Sequence, residues 1–409
     1  MNFWGITGTN GKTTTTWIFA EFLNAVKGRK CGYITTVEVF DGARRFYTGY
    51  TTPPLAQLKE IYAAMERNGC TDCVMEVSSH AIHQHRTGDT VFAGGAFTNL
   101  SEDHLDYHKT MAAYFDVKLD FARQIAAAHP ATPDMGRRNL PPYVVCLDGG
   151  YGKEMFEAVG NLAVNVIRCS TSTPRFDLSE LQLAGAYNQA NVLTAAALAE
   201  AAGVPHETIQ AVIPTLKPRW GRLEEVKSKS EKVKCRVFVD FAHTPDGLEK
   251  VLTAVRELLQ PPKPPKPPKP SKPPKPPKPS KPPKPSKPPK PPKPSLWLVF
   301  GAGGDRDPMK RPLMGEVSAR LADHLVITSD NPRSEAPDSI IEMILKGVGE
   351  KEGVVVEVDR AKAIRYALTQ AAEGDIVVIA GKGHETTQEI QGVKYPFDDR
   401  EIVRNFVSG

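Results

Sequence analysis

Long apolar runs and a dense set of cysteines are both missing from this sequence of 409 residues. No apolar stretch approaches the ~20 residues that a membrane-spanning helix needs. The first residues, MNFWGITGTNGKTTTT, lack the pattern of a secretory signal peptide. Six scattered cysteines are too few for a disulfide framework in a chain of this length. We therefore expect a cytoplasmic protein without a membrane span.

Two of the cysteines, Cys70 and Cys73, form a CxxC pair. A zinc site would need a second CxxC or a matching pair of histidines at ligand spacing, and neither follows in the sequence. The pair is therefore interpreted as two small core residues beside a strand. Metal binding or redox chemistry at the pair stays open as the alternative.

The formal net charge of +5 comes from one segment, and the rest of the chain has no excess of basic residues. Residues 261–295 contain twenty of the 36 prolines and eleven lysines, one at every third position. Without these eleven charges the remainder has a net charge of −6, so the composition gives no support for nucleic-acid binding. The repeated PPK and PSK triplets favour polyproline II. We interpret this Pro/Lys tract as a solvated surface loop, and contact with an anionic surface or a proline-reading partner is the alternative.

Short apolar runs alternate with helical patterns along most of the chain. Phe3–Ile6, Cys73–Val77 and Ala93–Asn99 are typical of buried strands, and Ala186–Ala202 is typical of a long helix. This alternation predicts an α/β fold with a parallel sheet covered by helices. A second series follows a basic, turn-rich break near residue 217, with strands Val237–Phe241, Leu296–Phe300, His324–Thr328, Val354–Val358 and Ile376–Ala380 and helices Leu248–Leu259 and Ala361–Glu373.

A glycine-rich turn, GTNGKT at residues 8–13, lies between the first predicted strand and a predicted helix. Backbone N–H groups of such a turn and of the helix N-terminus can bind phosphates. Lys12 would reach the β- and γ-phosphates, and the Thr13 hydroxyl would ligate Mg²⁺. The general GxxxxGK[ST] spacing is not met, because Gly5 precedes Gly11 by six residues. The flanking strand and helix still favour ATP binding, by Gly8, Thr9, Asn10, Gly11, Lys12, Thr13 and Thr14.

Two further segments, MEVSSH at 75–80 and TNLSEDHLDYH at 98–108, combine acidic, hydroxyl and imidazole groups. Glu76 comes at the end of a predicted strand, and open α/β sheets bind ligands at the carboxyl ends of their strands. The acidic and imidazole groups of the second segment suit a hard cation beside phosphates. Downstream of a phosphate loop, the two segments predict nucleotide-Mg²⁺ chemistry.

The motifs occur in the order found in the Mur ligase family, and the sequence resembles its diaminopimelate-adding type. The resemblance covers residues 1–260 and 296–409. The motifs that carry it are GTNGKTTT, TTP (51–53), MEVSSH, QHR (84–86), TNLSEDHLDYH, the segment 114–118, AGAYNQAN (184–191), WGRLEEV (220–226), VDFAHTPDGL (239–248), FGAGGDRDPMKRPLMG (300–315), DNPR (330–333) and AGKGHE (380–385).

The resemblance implies a role for individual residues of this chain. The implied magnesium ligands are Thr13, Glu76, His104 and Lys118, the lysine as a carbamate; such a carbamate is anionic, which explains a lysine beside Mg²⁺. Lys12, Glu76, His104 and Lys118 form the implied catalytic set. The implied ATP contacts beyond the phosphate loop are Asn188, Asn191, Arg222, Asp240 and His243. The implied muramyl-peptide contacts are Thr51, Thr52, Ser78, Gln84 and Arg86.

The DNPR segment is the family signature of a diaminopimelate site. Diaminopimelate carries a distal carboxylate that lysine lacks, and the Arg333 guanidinium can pair with it through two hydrogen bonds. Asn331 offers both a donor and an acceptor. The full set of residues implied for this amino acid is Arg306, Asp330, Asn331, Arg333, Gly381 and Glu385.

The resemblance implies two domains. Residues 1–217 would form a central P-loop NTPase-like domain with a mostly parallel sheet. Residues 218–409 would form a Rossmann-like C-terminal α/β domain that binds the amino acid and is interrupted by the tract 261–295. Because the sequence starts at the strand before the phosphate loop, the family's usual N-terminal domain is expected to be lacking. The segment 119–183 is shorter than the corresponding segment of the family. It is therefore open whether the last strands of the central sheet are present.

The implied activity is ATP-dependent ligation in peptidoglycan precursor synthesis. With Mg²⁺ as cofactor, the enzyme would join meso-diaminopimelate to the D-Glu carboxylate of UDP-N-acetylmuramoyl-L-Ala-D-Glu through an acyl phosphate. Two alternatives stay open. One is a related ligase of the same fold that adds lysine or is similar to folylpolyglutamate or cyanophycin synthetases, and the other is a non-catalytic ATP-binding fragment.

Overall fold

The computed structural model describes residues 1–132, 136–259 and 293–406. It contains two large, mostly parallel sheets, each packed between helices, which confirms the predicted α/β fold class. Most of the Pro/Lys tract lies outside the described residues, so its interpretation stays a prediction. In the described part of the chain, no helix has both the length and the apolar character needed to cross a bilayer.

The first sheet has eight strands in the order β4-β3-β2-β5-β1-β6-β7-β8. All neighbours pair in parallel except β2 with β3 and β3 with β4. The strands are β1 Asn2–Thr7, β2 Cys31–Ile34, β3 Val39–Phe40, β4 Arg45–Phe46, β5 Asp72–Glu76, β6 Phe92–Phe97, β7 Pro142–Cys146 and β8 Asn165–Cys169. Both late strands, β7 and β8, are therefore present within the short segment 119–183.

Helices cover the two faces of this first sheet. They are α1 Lys12–Asn24, α2 Leu55–Arg67, α3 Ser79–His83, α4 Leu105–His108, α5 Met111–Ala128, α6 Gly152–Gly160, α7 Ala186–Ala201 and α8 His206–Val212, with single 3₁₀ turns at Arg137–Asn139 and Ile213–Thr215. Helices α1, α7 and α8 share one core cluster, and α2, α5 and α6 share the other. The run of alanines in α7 suits this layer, because alanine has the highest helix propensity and lets α7 approach α1 closely.

The second sheet has six strands in the order β13-β12-β11-β14-β10-β9, of which only the β9–β10 pair is antiparallel. Its strands are β9 Glu224–Glu225, β10 Arg236–Asp240, β11 Leu296–Phe300, β12 His324–Ile327, β13 Val354–Val356 and β14 Ile376–Ala380. A separate hairpin pairs β15 Thr387–Ile390 with β16 Val393–Pro396. The helices are α9 Pro245–Leu259, α10 Lys310–Leu321, α11 Pro337–Val348, α12 Arg360–Gln370 and α13 Asp399–Arg404.

The carboxyl ends of the central strands carry most of the motifs found in the sequence. In the first sheet, β1 leads into the phosphate loop and β5 ends at Glu76. In the second sheet, β10 ends at Asp240 and β14 ends just before Gly381. The two central strands β11 and β14 are buried along their whole length, as expected for parallel strands covered on both faces.

The CxxC pair belongs to the hydrophobic core. Cys70 and Cys73 are both buried free thiols that pack into the cluster formed by α2 and α5. Within the described ranges, no group of three or more His, Cys, Asp or Glu side chains is arranged to hold a metal ion. This environment agrees with the interpretation of the pair as small core residues.

Candidate active site

The conformation of the phosphate loop is fixed by hydrogen bonds to the segment that follows β6. Gly11 precedes α1 with φ 84°, a conformation that favours glycine. The Thr9 amide donates to the Asn99 carbonyl at 2.8 Å, and the Asn10 amide donates to the Asn99 side chain at 3.0 Å. The Thr98 hydroxyl donates to the Asn10 carbonyl at 2.7 Å. These three bonds fix the loop conformation from outside the loop.

The Lys12 side chain folds back over this loop. Its ammonium nitrogen lies 2.9 Å from the Gly8 carbonyl oxygen and 2.8 Å from the Thr9 carbonyl oxygen. Burial lowers the pKa of Lys12, while the nearby Glu76 and Asp103 carboxylates oppose that change. An ammonium held at a glycine-rich turn by backbone carbonyls is suited to receive phosphate oxygens.

The Glu76 carboxylate at the end of β5 accepts three hydrogen bonds from two segments. Thr13 Oγ1 donates to Oε1 at 2.7 Å, the Thr36 amide donates to Oε1 at 2.8 Å, and the Thr36 hydroxyl donates to Oε2 at 3.2 Å. Arg222, from the far side of the cleft, donates to Thr13 Oγ1 at 3.2 Å. Glu76 is only 1% exposed. A buried carboxylate beside a threonine hydroxyl presents the hard oxygen atoms that Mg²⁺ prefers.

His104 and Lys118 lie near the same loop. Burial lowers the pKa of His104 to about 4, so its imidazole is neutral near pH 7 and can act as a ligand. The Lys118 nitrogen donates to the Gly8 carbonyl at 2.8 Å in a fully enclosed position. Burial, together with the neighbouring Lys12, lowers the pKa of Lys118 well below its usual value. The lysine therefore loses its proton more readily than an exposed one, and the neutral amine is the form that reacts with CO₂.

These side chains fit the magnesium site that the sequence implies. The hydroxyl of Thr13 and the carboxylate of Glu76 supply hard oxygen donors, and a carbamate on Lys118 would add another. The described residues contain no preformed cluster of three His, Cys, Asp or Glu ligands. This absence is expected, because two of the four implied magnesium ligands, Thr13 and Lys118, are not His, Cys, Asp or Glu.

A cavity of about 370 Å³ separates the two sheets, and residues from both sides line it. Its lining contains most of the site residues predicted from the sequence: Thr9, Asn10, Gly11, Lys12, Thr13, Thr14, Thr51, Glu76, His104, Asn188, Asn191, Arg222, Asp240, His243, Arg306, Asp330, Asn331, Arg333, Gly381 and Glu385. The structure thus brings the phosphate-loop residues and the DNPR residues to one cleft.

Six predicted residues lie behind or beside this lining: Gly8, Thr52, Ser78, Gln84, Arg86 and Lys118. The Thr52 hydroxyl donates to the Glu76 carbonyl at 2.8 Å and accepts from the Ser78 amide at 3.0 Å. Arg86 donates to the Thr52 carbonyl at 3.2 Å, and the Gln84 amide donates to the Tyr107 hydroxyl at 3.2 Å. Arg86 also donates to the Gln84 side-chain oxygen at 2.9 Å, so hydrogen bonds join these four predicted muramyl-peptide residues beside the cleft, with Thr52 itself fully buried.

Several of the residues that the resemblance implies as ATP contacts lie on α7, at the end of β10 and in the turn after it. The side-chain oxygen of Asn191 lies so close to Gly11 that an added Cβ there would approach it to 2.2 Å. Asp240 accepts hydrogen bonds from the Leu223 amide at 2.6 Å and the Ala242 amide at 2.7 Å. Burial raises the pKa of Asp240 to about 6 and lowers the pKa of His243 to about 4.

The opposite end of the cleft is rich in charge. Arg333, which has φ 51°, donates to the Gly304 carbonyl at 2.6 Å. Burial and the nearby Arg333 both lower the pKa of Arg306, because two guanidinium groups face the same space. The Asn331 side-chain amide donates to Glu385 Oε2 at 2.8 Å. Two guanidiniums beside an amide and a carboxylate can bind an amino-acid end that carries both charges.

Sequence reasoning missed several contacts that join the two sides. Asp246 accepts from the Asn10 side chain at 2.7 Å and from the Ser101 hydroxyl at 3.1 Å. The Lys310 ammonium lies 3.8 Å from Asp103 Oδ1. Asp246 and Lys310 both occur inside motifs quoted above, but nothing in the local pattern indicates which distant residue each one contacts.

The buried Asp240 should make stability depend on pH. Its pKa of about 6 lies above the ordinary value of 3.8, so the folded protein binds this proton more tightly than the unfolded chain does. The stabilisation is gained as the pH falls through about 6 and is lost as the pH rises again. Relative to Asp240→Asn, the wild type should gain about 1 kcal/mol of unfolding free energy between about pH 7 and about pH 5. Chemical denaturation measures this difference, and parallel pH profiles would contradict it.

Two family models match this chain. The model of the Mur ligase middle domain matches residues 6–199, and the model described as "Mur ligase, glutamate ligase domain" matches residues 288–383. A solved structure titled UDP-N-acetylmuramoyl-L-alanyl-D-glutamate--2,6-diaminopimelate ligase is similar at 28% identity and a TM-score of 0.58, covering 98% of this chain and 77% of that one. The structure of E. coli FolC in complex with DHPP and ADP has the same fold at 18% identity and a TM-score of 0.59, covering 94% of this chain and 86% of that one.

Curated relatives are similar over nearly the whole chain. A protein from Aquifex aeolicus is 36% identical over 432 aligned residues, which cover 100% of this chain and 78% of the relative. A protein from Synechococcus elongatus is 38% identical over 430 aligned residues, which cover 98% of this chain and 75% of the relative. Both are named UDP-N-acetylmuramoyl-L-alanyl-D-glutamate--2,6-diaminopimelate ligase. The chain belongs to the Mur ligase family.

Proposed function

We propose that this chain is an ATP-dependent ligase of peptidoglycan precursor synthesis. It joins meso-diaminopimelate to the D-Glu carboxylate of UDP-N-acetylmuramoyl-L-Ala-D-Glu. The observation that carries the proposal is the single cleft shared by the phosphate loop and the DNPR residues. The relatives named above, at 36% and 38% identity, support the same substrates.

The reaction begins at the phosphate loop. An oxygen of the D-Glu carboxylate attacks the γ-phosphorus of ATP, the bond to the bridging oxygen of ADP breaks, and an acyl phosphate forms. Lys12 offsets the negative charge that develops on the transferring phosphoryl group. Bound Mg²⁺ would supply further charge stabilisation there, held by Thr13, Glu76, His104 and the carbamate of Lys118.

The second step forms the amide. The amine nitrogen of diaminopimelate attacks the acyl carbon, the carbon–oxygen bond to phosphate breaks, and the amine loses a proton. Arg306, Arg333, Asn331 and Glu385 hold the distal end of the amino acid, so that its reacting amine is directed toward the acyl phosphate. Alignment of reactants from two sides of a cleft contributes a large part of such a rate enhancement.

The carbamate on Lys118 requires a neutral amine. The lowered pKa of this lysine supports that state, because burial and Lys12 both disfavour the ammonium form. The amine nitrogen then attacks the carbon of CO₂, and one proton is released as the carbamate forms. The product is an anionic oxygen ligand at a position where a protonated lysine would repel a metal ion.

The function is tested by phosphate release from ATP in the presence of the UDP-muramyl dipeptide. We expect release to depend on the dipeptide and to be at least about 100-fold more efficient with meso-diaminopimelate than with L-lysine, since lysine leaves both guanidiniums without a carboxylate. Equal efficiency with the two amino acids would contradict the diaminopimelate assignment. A folded protein that binds ADP but releases no phosphate with either amino acid would contradict the ligase itself.

The phosphate loop has a test of its own. In the Gly11→Ala variant, the alanine would have to adopt φ 84°, which is strained for a residue with a Cβ. Its Cβ would also lie 2.2 Å from Asn191 Oδ1. We expect this change to weaken ADP binding by about tenfold or more in calorimetric titration, because alanine is strained at this φ and either the loop or Asn191 must shift. Gly203→Ala is the matched control, since Gly203 has φ 83° but no atom within 4 Å of the added carbon. Equal ADP affinity in the two variants would contradict a phosphate site at this loop.

A further inference from the structure

Lys382 is a fully buried lysine at the end of the cleft that contains Asn331 and Glu385. It lies two residues after the end of β14, its side chain is 0% exposed, and it does not line the cavity. Its ammonium donates to Asn331 Oδ1 at 3.0 Å and to Glu385 Oε2 at 3.0 Å. A buried cation is costly unless it is paired and hydrogen-bonded, so these two contacts keep it in place.

The contact with Lys382 fixes the orientation of the Asn331 amide. Asn331 Oδ1 accepts from Lys382 and also from the Glu389 backbone amide at 2.9 Å. Asn331 Nδ2 donates to Glu385 Oε2 at 2.8 Å. If the Asn331 amide were flipped, its N–H groups would face two donors, the Lys382 ammonium and the Glu389 backbone amide, and its oxygen would face the Glu385 carboxylate. Three bonds therefore hold one orientation, and one N–H of Asn331 is left for a ligand.

The same lysine determines which oxygen of Glu385 is available. Oε2 accepts from both Lys382 and Asn331. Among the described residues, no donor is bonded to Oε1, and Glu385 lines the cavity. The triangle of Lys382, Asn331 and Glu385 thus presents one amide N–H and one carboxylate oxygen side by side. Such a pair is complementary to a carboxylate and an ammonium on one carbon atom.

We propose that Lys382 is a positioning residue for amino-acid specificity, which orients Asn331 and Glu385 toward the distal end of diaminopimelate without touching it. The inference rests on the proposed function and extends it to a residue outside the cavity lining. Lys382 neutralises part of the Glu385 charge and prevents the carboxylate from closing onto Arg306 or Arg333. The Arg306 and Arg333 guanidiniums then face the distal carboxylate without a contact from Glu385, while Arg333 also lies 3.7 Å from Glu389 Oε2. Glu385 Oε1 remains available for the distal ammonium.

The test compares Lys382→Met with Lys346→Met in steady-state kinetics with ATP, the UDP-muramyl dipeptide and meso-diaminopimelate. Methionine keeps most of the side-chain length and removes both donors. The KM for meso-diaminopimelate should rise by about tenfold or more, whereas the KM values for ATP and the dipeptide should change by less than about twofold. Lys346 is an exposed lysine of α11 in the same half of the chain, and its variant should match the wild type.

A second readout is stereochemical. The L,L isomer of diaminopimelate exchanges the positions of the distal ammonium and carboxylate, so the wild type should prefer the meso isomer. Lys382→Met should reduce this preference by about tenfold, because the Asn331 amide and Glu385 are no longer held in one arrangement. In a background that carries both Asn331→Ala and Glu385→Gln, the added Lys382→Met change should raise the KM for meso-diaminopimelate by less than about twofold, since Lys382 acts through these two residues.

Other outcomes overturn the inference. An unchanged KM for meso-diaminopimelate in Lys382→Met would show that Lys382 does not position the site. A general structural role would be shown if kcat and the melting temperature fell together while all three KM values rose. If the methionine variant does not fold, Lys382→Gln takes its place, since its amide can still donate to one partner, and the same KM comparison decides. A wild type without diaminopimelate-dependent phosphate release would refute the proposed function, and this inference falls with it.

Discussion

The buried carboxylate of Glu76 is the constraint on which the arrangement of the cleft depends. It is almost fully enclosed and is satisfied by Thr13 and by two donors of Thr36. A buried charge without such donors would destabilise the fold by several kcal/mol. The carboxylate therefore fixes α1, the loop after β2 and the end of β5 relative to one another. Arg222 extends the same chain of contacts across the cleft to Thr13.

The chemistry that we propose requires groups from both sheets at one place. The first sheet contributes the phosphate loop and the candidate metal ligands, and the second contributes Asp240, the DNPR turn and Glu385. Asp246 connects the two sides directly through Asn10 and Ser101 of the phosphate-loop region. Because both sheets present the carboxyl ends of their parallel strands to the cleft, ligands bound to either sheet meet in the same space.

Much of the fold was predictable from local pattern. Strands such as β11 and β14 are continuous apolar runs, and their predicted bounds agree with the structure. The strands β3, β4 and β9 carry no such signal because each has only two residues, and the hairpin β15–β16 carries none because it is polar and has no buried residue. The helices α10 and α11 were not predicted either; α10 begins within a glycine-rich motif and α11 begins at Pro337.

The site was predictable only in part, for a different reason. Motif order indicated which residues line the cleft, because each motif is a contiguous segment at a strand end. Contacts between motifs were not predictable, since Asp246 and Asn10 are 236 residues apart in the sequence. Lys382 belongs to the AGKGHE motif, and the role that we propose for it rests on its burial and its bond to Asn331, 51 residues away.

An isotope-transfer experiment tests the proposed chemistry most directly. The D-Glu carboxylate of the UDP-muramyl dipeptide would be labelled with ¹⁸O, and the phosphate released with ATP and meso-diaminopimelate would be analysed by mass spectrometry. We expect one carboxylate oxygen to appear in each phosphate, because the acyl phosphate loses its bridging oxygen to phosphate when the amide forms. Unlabelled phosphate accompanying amide formation would contradict the acyl phosphate and the order of steps built on it.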